Sequence, residues 1–95
     1  IIFVLLGIWF GNRLTARPRE GFARNDAAIA SLGISAREVE VLEMLSAGHA
    51  NKVIARHLDI SPNTVKTHIA RLYEKLEVAS RTQAISRARQ LDILP

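Results

Sequence analysis

Five cations, Lys52, Arg56, Lys66, Arg71 and Lys75, stand against only Asp59 and Glu74 between residues 51 and 76, a net +3 in a chain whose total is +4. Asn51, Asn63, Thr64 and Thr67 lie among them, short side chains that both donate and accept hydrogen bonds. Ammonium and guanidinium groups neutralise phosphates, and short amides and hydroxyls meet the donor and acceptor edges of bases. The chemistry these residues suit is recognition of a polyanion rather than bond-making. Nucleic acid and anionic lipid are the two partner classes consistent with the charge.

Catalysis has no candidate residues. With no cysteine in 95 residues, disulfides, thiolate zinc sites, iron–sulfur clusters and a cysteine nucleophile are excluded. His49, His57 and His68 are spaced 8 and 11 apart, which matches no metal motif. Glu38 has no carboxylate partner for acid–base work and already has a helix-capping role. There is no nucleophile–base pair and no glycine-rich phosphate loop. The chain is therefore expected to be a non-enzyme, without metal or cofactor. Taken singly, Lys52 and Lys66 read as solvated helix-face charges, and Thr67 as a surface filler. The pattern in which they recur argues otherwise.

The elements that must position these residues are helices. Ser35-Ala36-Arg37-Glu38 is a capping box, followed by an apolar face of Val39, Val41, Leu42, Met44 and Leu45 up to Gly48. Asn51 is placed to cap a second helix ending at Leu58, with Val53, Ile54, Ala55 and Leu58 inward. Ser61-Pro62 starts a third and longest helix, Pro62 to Leu76, with proline at the first position. Its Val65, Ile69, Leu72, Tyr73 and Leu76 form a core stripe, leaving Asn63, Thr64, Lys66, Thr67, Ala70, Arg71 and Glu74 outward. Ser80-Arg81-Thr82-Gln83 reads as a second capping box, opening a last helix to about Leu91. No alternating run after residue 34 predicts a strand.

Only Asp59 and Ile60 separate the second helix from the cap of the third, so the two form a tight helix-turn-helix. Ala55 lies where they approach most closely, and Asp59 stands where the turn calls for a left-handed residue. The outward face of the third helix is slim enough to enter a major groove, with cations flanking it for phosphates.

Before this domain, nine of the first ten residues are apolar, Gly7 excepted. As a helix the run covers about 15 Å, half of what a bilayer core requires. The chain opens on Ile1 rather than Met, and the run is expected to be the end of a longer membrane helix. Trp9 and Phe10 stand where an aromatic belt would, and Arg13, Arg17, Arg19 and Arg24 follow as on a cytoplasmic flank. The competing reading is an amphipathic or core helix packed on the domain. The chain thus divides into an apolar segment (1–11), a basic linker (12–33) holding a short alanine-rich helix from Phe22 to Leu32, and a helical domain (34–95). Length allows one small core and no more.

From Ile34 to Pro95 the chain resembles the LuxR/GerE-type DNA-binding domain of bacterial transcription regulators. The resemblance is carried by Ser35-Ala36-Arg37-Glu38-Val39-Glu40-Val41-Leu42, by Gly48 with Asn51-Lys52-Val53-Ile54-Ala55, and by Ser61-Pro62-Asn63-Thr64-Val65-Lys66-Thr67-His68. Lys75-Leu76 and Arg81-Thr82-Gln83-Ala84 are similar too. It implies an all-α, four-helix domain that recognises duplex DNA with the helix Pro62 to Leu76 and dimerises through its last helix. RNA polymerase is a further partner that a regulator of this kind implies. Many relatives carry a second basic residue where this chain has Ala70, with Arg71 alongside, which bears on the target sequence.

The DNA-contacting set expected on this reading is Asn51, Lys52, Asn63, Thr64, Lys66, Thr67, Ala70, Arg71 and Lys75. The expected dimer stripe is Ala84, Ile85, Ala88 and Leu91, whose small members allow close approach of a second copy while part of the stripe closes the core. The expected location is the cytoplasmic face of the inner membrane. The rival reading is a membrane-associated module whose helix-turn-helix contacts protein or lipid. Charge placement opposes it, because a lipid-binding domain would put its cations beside the apolar run.

Overall fold

The computed structural model describes residues 21–95, and the apolar segment 1–11 and the first part of the linker, 12–20, lie outside the described residues. Five helices follow in order: α1 (Asp26–Leu32), α2 (Ala36–Ser46), α3 (Asn51–Leu58), α4 (Pro62–Leu76) and α5 (Arg81–Gln90). No strand occurs among the described residues, so the fold is all-α.

Local chemistry sets most of the helix ends. Ser35 Oγ accepts from the Glu38 amide at 3.1 Å, and the Ser35 amide donates to Glu38 Oε1 at 2.9 Å, so the capping box is complete. Ser61 Oγ accepts from the Thr64 amide at 3.1 Å, with Pro62 at the first helical position. Ser80 Oγ accepts from the Gln83 amide at 3.2 Å. Gln83 does not close the expected second box, since its Oε1 accepts from the amide of Ala79, one residue earlier, at 2.8 Å. Asn51 is not a cap either. Ala50 holds that position without any side-chain bond, and Asn51 is the first helical residue.

The core is formed by Val41, Leu42, Leu45, Ile54, Val65, Leu72, Leu76, Ala84, Ala88 and Ile93, all but fully buried. Each large aliphatic side chain so buried contributes about 1.5–3 kcal/mol relative to exposure. α2 packs on both α4 and α5, while α3 packs on α4. α4 therefore lies across the centre, with one stripe in the core and the opposite side open.

The linker helix belongs to the domain rather than to a spacer. α1 starts at Asp26, not Phe22, because Asn25 caps it by accepting from the Ala28 amide at 3.1 Å. Ala28, Ile29 and Leu32 then pack against the core. Beyond α5 the chain turns through Asp92 in the left-handed region, at φ 59°, and buries Ile93 and Leu94. The Asn25 amide donates to the Asp92 carbonyl at 2.9 Å, joining the two chain segments that flank the bundle.

Candidate nucleic-acid interface

The turn between α3 and α4 is tight for identifiable reasons. Asp59 takes φ 56° and ψ 47°, the left-handed conformation its place requires. The amide of Ile60 then donates to the Ala55 carbonyl at 3.0 Å, satisfying an end carbonyl of α3. Ile60 packs on the core, and Ala55 is buried at the crossing, where a larger side chain would push the helices apart.

α4 leaves the turn with Asn63, Thr64, Lys66, Thr67, Ala70 and Arg71 all exposed. Val65, Leu72 and Leu76 on its other side are buried. Two of the outward polar groups are held by the helix itself. Thr64 Oγ1 lies 2.9 Å from Ser61 Oγ, and Thr67 Oγ1 donates to the Asn63 carbonyl at 3.2 Å. With its hydroxyl hydrogen so engaged, the exposed Thr67 has a methyl group and hydroxyl lone pairs left to offer, chemistry suited to an apolar or donor edge. Lys66 and Arg71 on α4, with Lys52 and Arg56 on α3, are exposed and unpaired with any carboxylate among the described residues. Asn51 is half-buried beside them.

Lys75 is the exception in the expected set. Its Nζ lies 2.7 Å from Glu38 Oε1, in an ion pair whose carboxylate is buried. Burial pushes the Glu38 carboxyl up, and the hydrogen bonds from Lys75 and Ser35 outweigh it, bringing the group below the ordinary carboxylate range. The last-turn cation of α4 is therefore paired with a carboxylate of α2, while its side chain stays partly exposed.

The α5 stripe also needs correction. Ala84 and Ala88 are fully buried in the core, so they are not surface for a second copy. Ile85 and Leu91 are half-buried, and Ile85 lies with Ser86, Arg89 and Gln90 along an open groove that Ser46 of α2 borders. His49 and His57 come together, with ring centroids 5.9 Å apart, but no group of three metal-ligating side chains occurs among the described residues.

Arg81 lies outside the expected DNA-contacting and dimer sets. Its Nη2 donates to the carbonyls of Leu45 at 2.9 Å and His49 at 2.7 Å, at the C-terminal end of α2. Its sequence signal is its place in Arg81-Thr82-Gln83-Ala84, one of the stretches that carry the family resemblance.

Comparison with known proteins agrees with this geometry. Residues 32–88 match the family described as "Bacterial regulatory proteins, luxR family". A 74-residue stretch, 78% of the chain, is 43% identical to the "Probable transcriptional regulatory protein NarL" of Mycobacterium tuberculosis (strain H37Rv), of which it spans 34%. The monoamine regulon transcriptional regulator of Klebsiella aerogenes is 48% identical over 57% of the chain and 24% of its own length. The HTH-type transcriptional regulator MalT of Vibrio cholerae (strain El Tor Inaba N16961) is 43% identical over 61% of the chain and 6% of its own length. The chain thus spans no more than about a third of these relatives. No solved structure matches it significantly. With more than half of its residues in the family match and the helix-turn-helix in place, the chain belongs to the luxR family of bacterial regulatory proteins.

Proposed function

We propose that the chain binds duplex DNA in a sequence-dependent way and regulates transcription, with α4 as the reading helix. The observation that carries this is the outward side of α4. Short polar groups, a methyl-bearing threonine and an alanine lie between unpaired cations, on a helix whose other side is anchored in the core. Lys52 and Lys66 serve phosphates, while Asn63, Thr67 and Arg71 meet base edges, with Ala70 leaving room for a base-pair methyl. Lys75 is withdrawn from the contact set. RNA polymerase is a partner for which no surface is assigned.

The test is a fluorescence titration of promoter duplexes at several salt concentrations. With Lys52 and Lys66 each on a phosphate, a dimer neutralises about four, and log K falls against log salt with a slope near −4. Lys52→Ala weakens all sequences alike, whereas Arg71→Ala changes preference at particular base pairs by about 1–3 kcal/mol. A flat salt response, or an unchanged selected motif in both Thr67→Ala and Arg71→Ala, refutes the assignment.

Dimerisation is proposed through the exposed parts of the half-buried Ile85 and Leu91. Membrane attachment is proposed on sequence grounds alone, from the apolar run and the arginines behind it. Among the described residues no helix is long and apolar enough to cross a membrane. Fractionation of cells making the full-length protein tests the tether. Retention with membranes after a high-salt wash supports it, and recovery in the soluble fraction refutes it without touching the DNA reading.

A further inference from the structure

Two cations bracket the corner between α4 and α5, and both are turned onto α2. Lys75, in the last turn of α4, holds the buried carboxylate of Glu38 in the first turn of α2. Arg81, the first residue of α5, donates to the Leu45 carbonyl in the last turn of α2 and to the His49 carbonyl in the loop that follows. Charge complements the helix at each end: the carboxylate lies near the positive N-terminus of α2, and the guanidinium meets the Leu45 carbonyl in its last turn, which also accepts from the Gly48 amide, and the His49 carbonyl just beyond it. About 10 Å of helix separates Glu38 from Leu45. The segment from Lys75 to Arg81 is thus fixed at two separated points of one rigid rod.

Apolar packing alone does not set such an angle closely. It is non-directional, and helix pairs scatter by roughly 15–20° about their preferred crossings. Two directional attachments remove the remaining swing of α4 against α5 about the Glu77–Ser80 turn. We propose that Lys75 and Arg81 are positioning residues that hold α2 at both ends and so set the angle between the reading helix and the outward side of α5. In a dimer formed through α5, that angle fixes which half-site spacings two reading helices reach together. The half-site consequence rests on the function proposed above; the angle itself does not.

Spin labels test the angle directly, because the chain has no cysteine to interfere. Glu74→Cys on α4 and Ser86→Cys on α5, both exposed positions, report the interhelix distance in the full 95-residue chain by pulsed dipolar spectroscopy. The parent should give one narrow distribution. Lys75→Gln combined with Glu38→Gln, which leaves no unpaired carboxylate buried, should broaden it at unchanged helicity, as should Arg81→Gln. Lys75→Arg should restore the parental width. If Arg81→Gln loses helicity, Arg81→Lys, which keeps the charge and loses the guanidinium, is measured in its place.

On duplexes with two half-sites at varied separation, the parental preference among separations should flatten by roughly fivefold or more in the clamp variants. Their affinity for a single half-site and their salt slope should stay as in the parent. Parental label widths in folded variants overturn the proposal. A salt slope lowered by about one per protomer in the Lys75 variant overturns it too, by returning Lys75 to a phosphate. Failure of the parent to bind DNA at all would instead sink the preceding proposal, while the label distances still decide this one.

Discussion

The side-chain amide of Asn25 donates to the Leu91 carbonyl at 3.2 Å, joining residues 66 apart in sequence. The same side chain accepts from the Ala28 amide, and the Asn25 backbone amide reaches the Asp92 carbonyl. One residue thus caps α1 and holds the chain beyond α5. Loss of a cap costs about 0.5–2 kcal/mol, and the two long-range bonds tie that loss to the C-terminal turn.

Asn25→Ala should therefore destabilise the domain by about 2 kcal/mol, a fall of several degrees in Tm. Asn25→Asp keeps the cap acceptor and loses the side-chain donor, so its cost should lie between. Thermal melts followed by circular dichroism check both. An unchanged Tm in Asn25→Ala would mean that α1 is not docked in solution.

Acid stability should show two opposed contributions. Glu38 has its folded-state pKa below the ordinary range, so its stabilisation is complete above the unfolded pKa and is lost as pH falls through the folded value. Glu43 is the reverse. Burial raises its carboxyl, with Arg24 opposing, so its ionised form costs stability near neutrality and that cost disappears as pH falls through its raised pKa. Urea midpoints should accordingly rise in Glu43→Gln at pH 7, with the gain shrinking on acidification. Glu38→Gln should lower the midpoint at pH 7 and have little effect at the acid end, where the carboxylate is already protonated. Opposite signs for the two variants at pH 7 are the outcome to look for.

Helix ends were largely legible in the sequence because their determinants are local. Ser35 with Glu38 and Ser61 with Pro62 each act within four residues, and α4 runs from Pro62 to Leu76 as the pattern predicts. The exposed side of α4 was legible for the same reason, since a 3.6-residue period sorts one side from the other. What escaped are pairings over long separations. Nothing local distinguishes Lys75, bound 37 residues away, from Lys66 in solvent. Alanines at positions 84 and 88 fit a tight core and a close helix contact equally well. Only the packing of α2 and α4 on α5 decides between those readings, and it favours the core.

The dimer prediction consequently moves along α5. Ala88→Glu would bury a charge where no partner waits and should unfold the domain, with loss of helicity and stability by several kcal/mol. Ile85→Glu, at a half-buried position on the groove, should keep the fold and its Tm within a few degrees while abolishing self-association. Sedimentation equilibrium paired with circular dichroism separates the two effects. A folded Ile85→Glu variant that still associates like the parent would remove Ile85 from the interface.

Among the described residues, Asp59, Glu77 and Asp92 are the non-glycine residues in the left-handed region, and the first two should not respond alike to glycine. Glu77 ends α4 at φ 57° and Asp59 ends α3 at φ 56°. A residue with an ordinary Cβ pays about 1–2 kcal/mol there, whereas the short polar side chain of Asp bonds locally and visits the region readily. Glycine removes the strain but adds unfolded-state entropy, which takes back part of the gain. Glu77 is exposed and bonded to no other described side chain, so little else is lost with it. Glu77→Gly should therefore stabilise by about 0.5–1 kcal/mol, and Asp59→Gly should fall close to zero. Asp59→Val, β-branched at the same φ, should cost more than either gains and should weaken DNA binding along with stability, because the turn it strains sets α4 against α3. Chemical denaturation of the three variants decides the order, and an Asp59→Val domain as stable as the parent would mean that the turn does not need its left-handed residue.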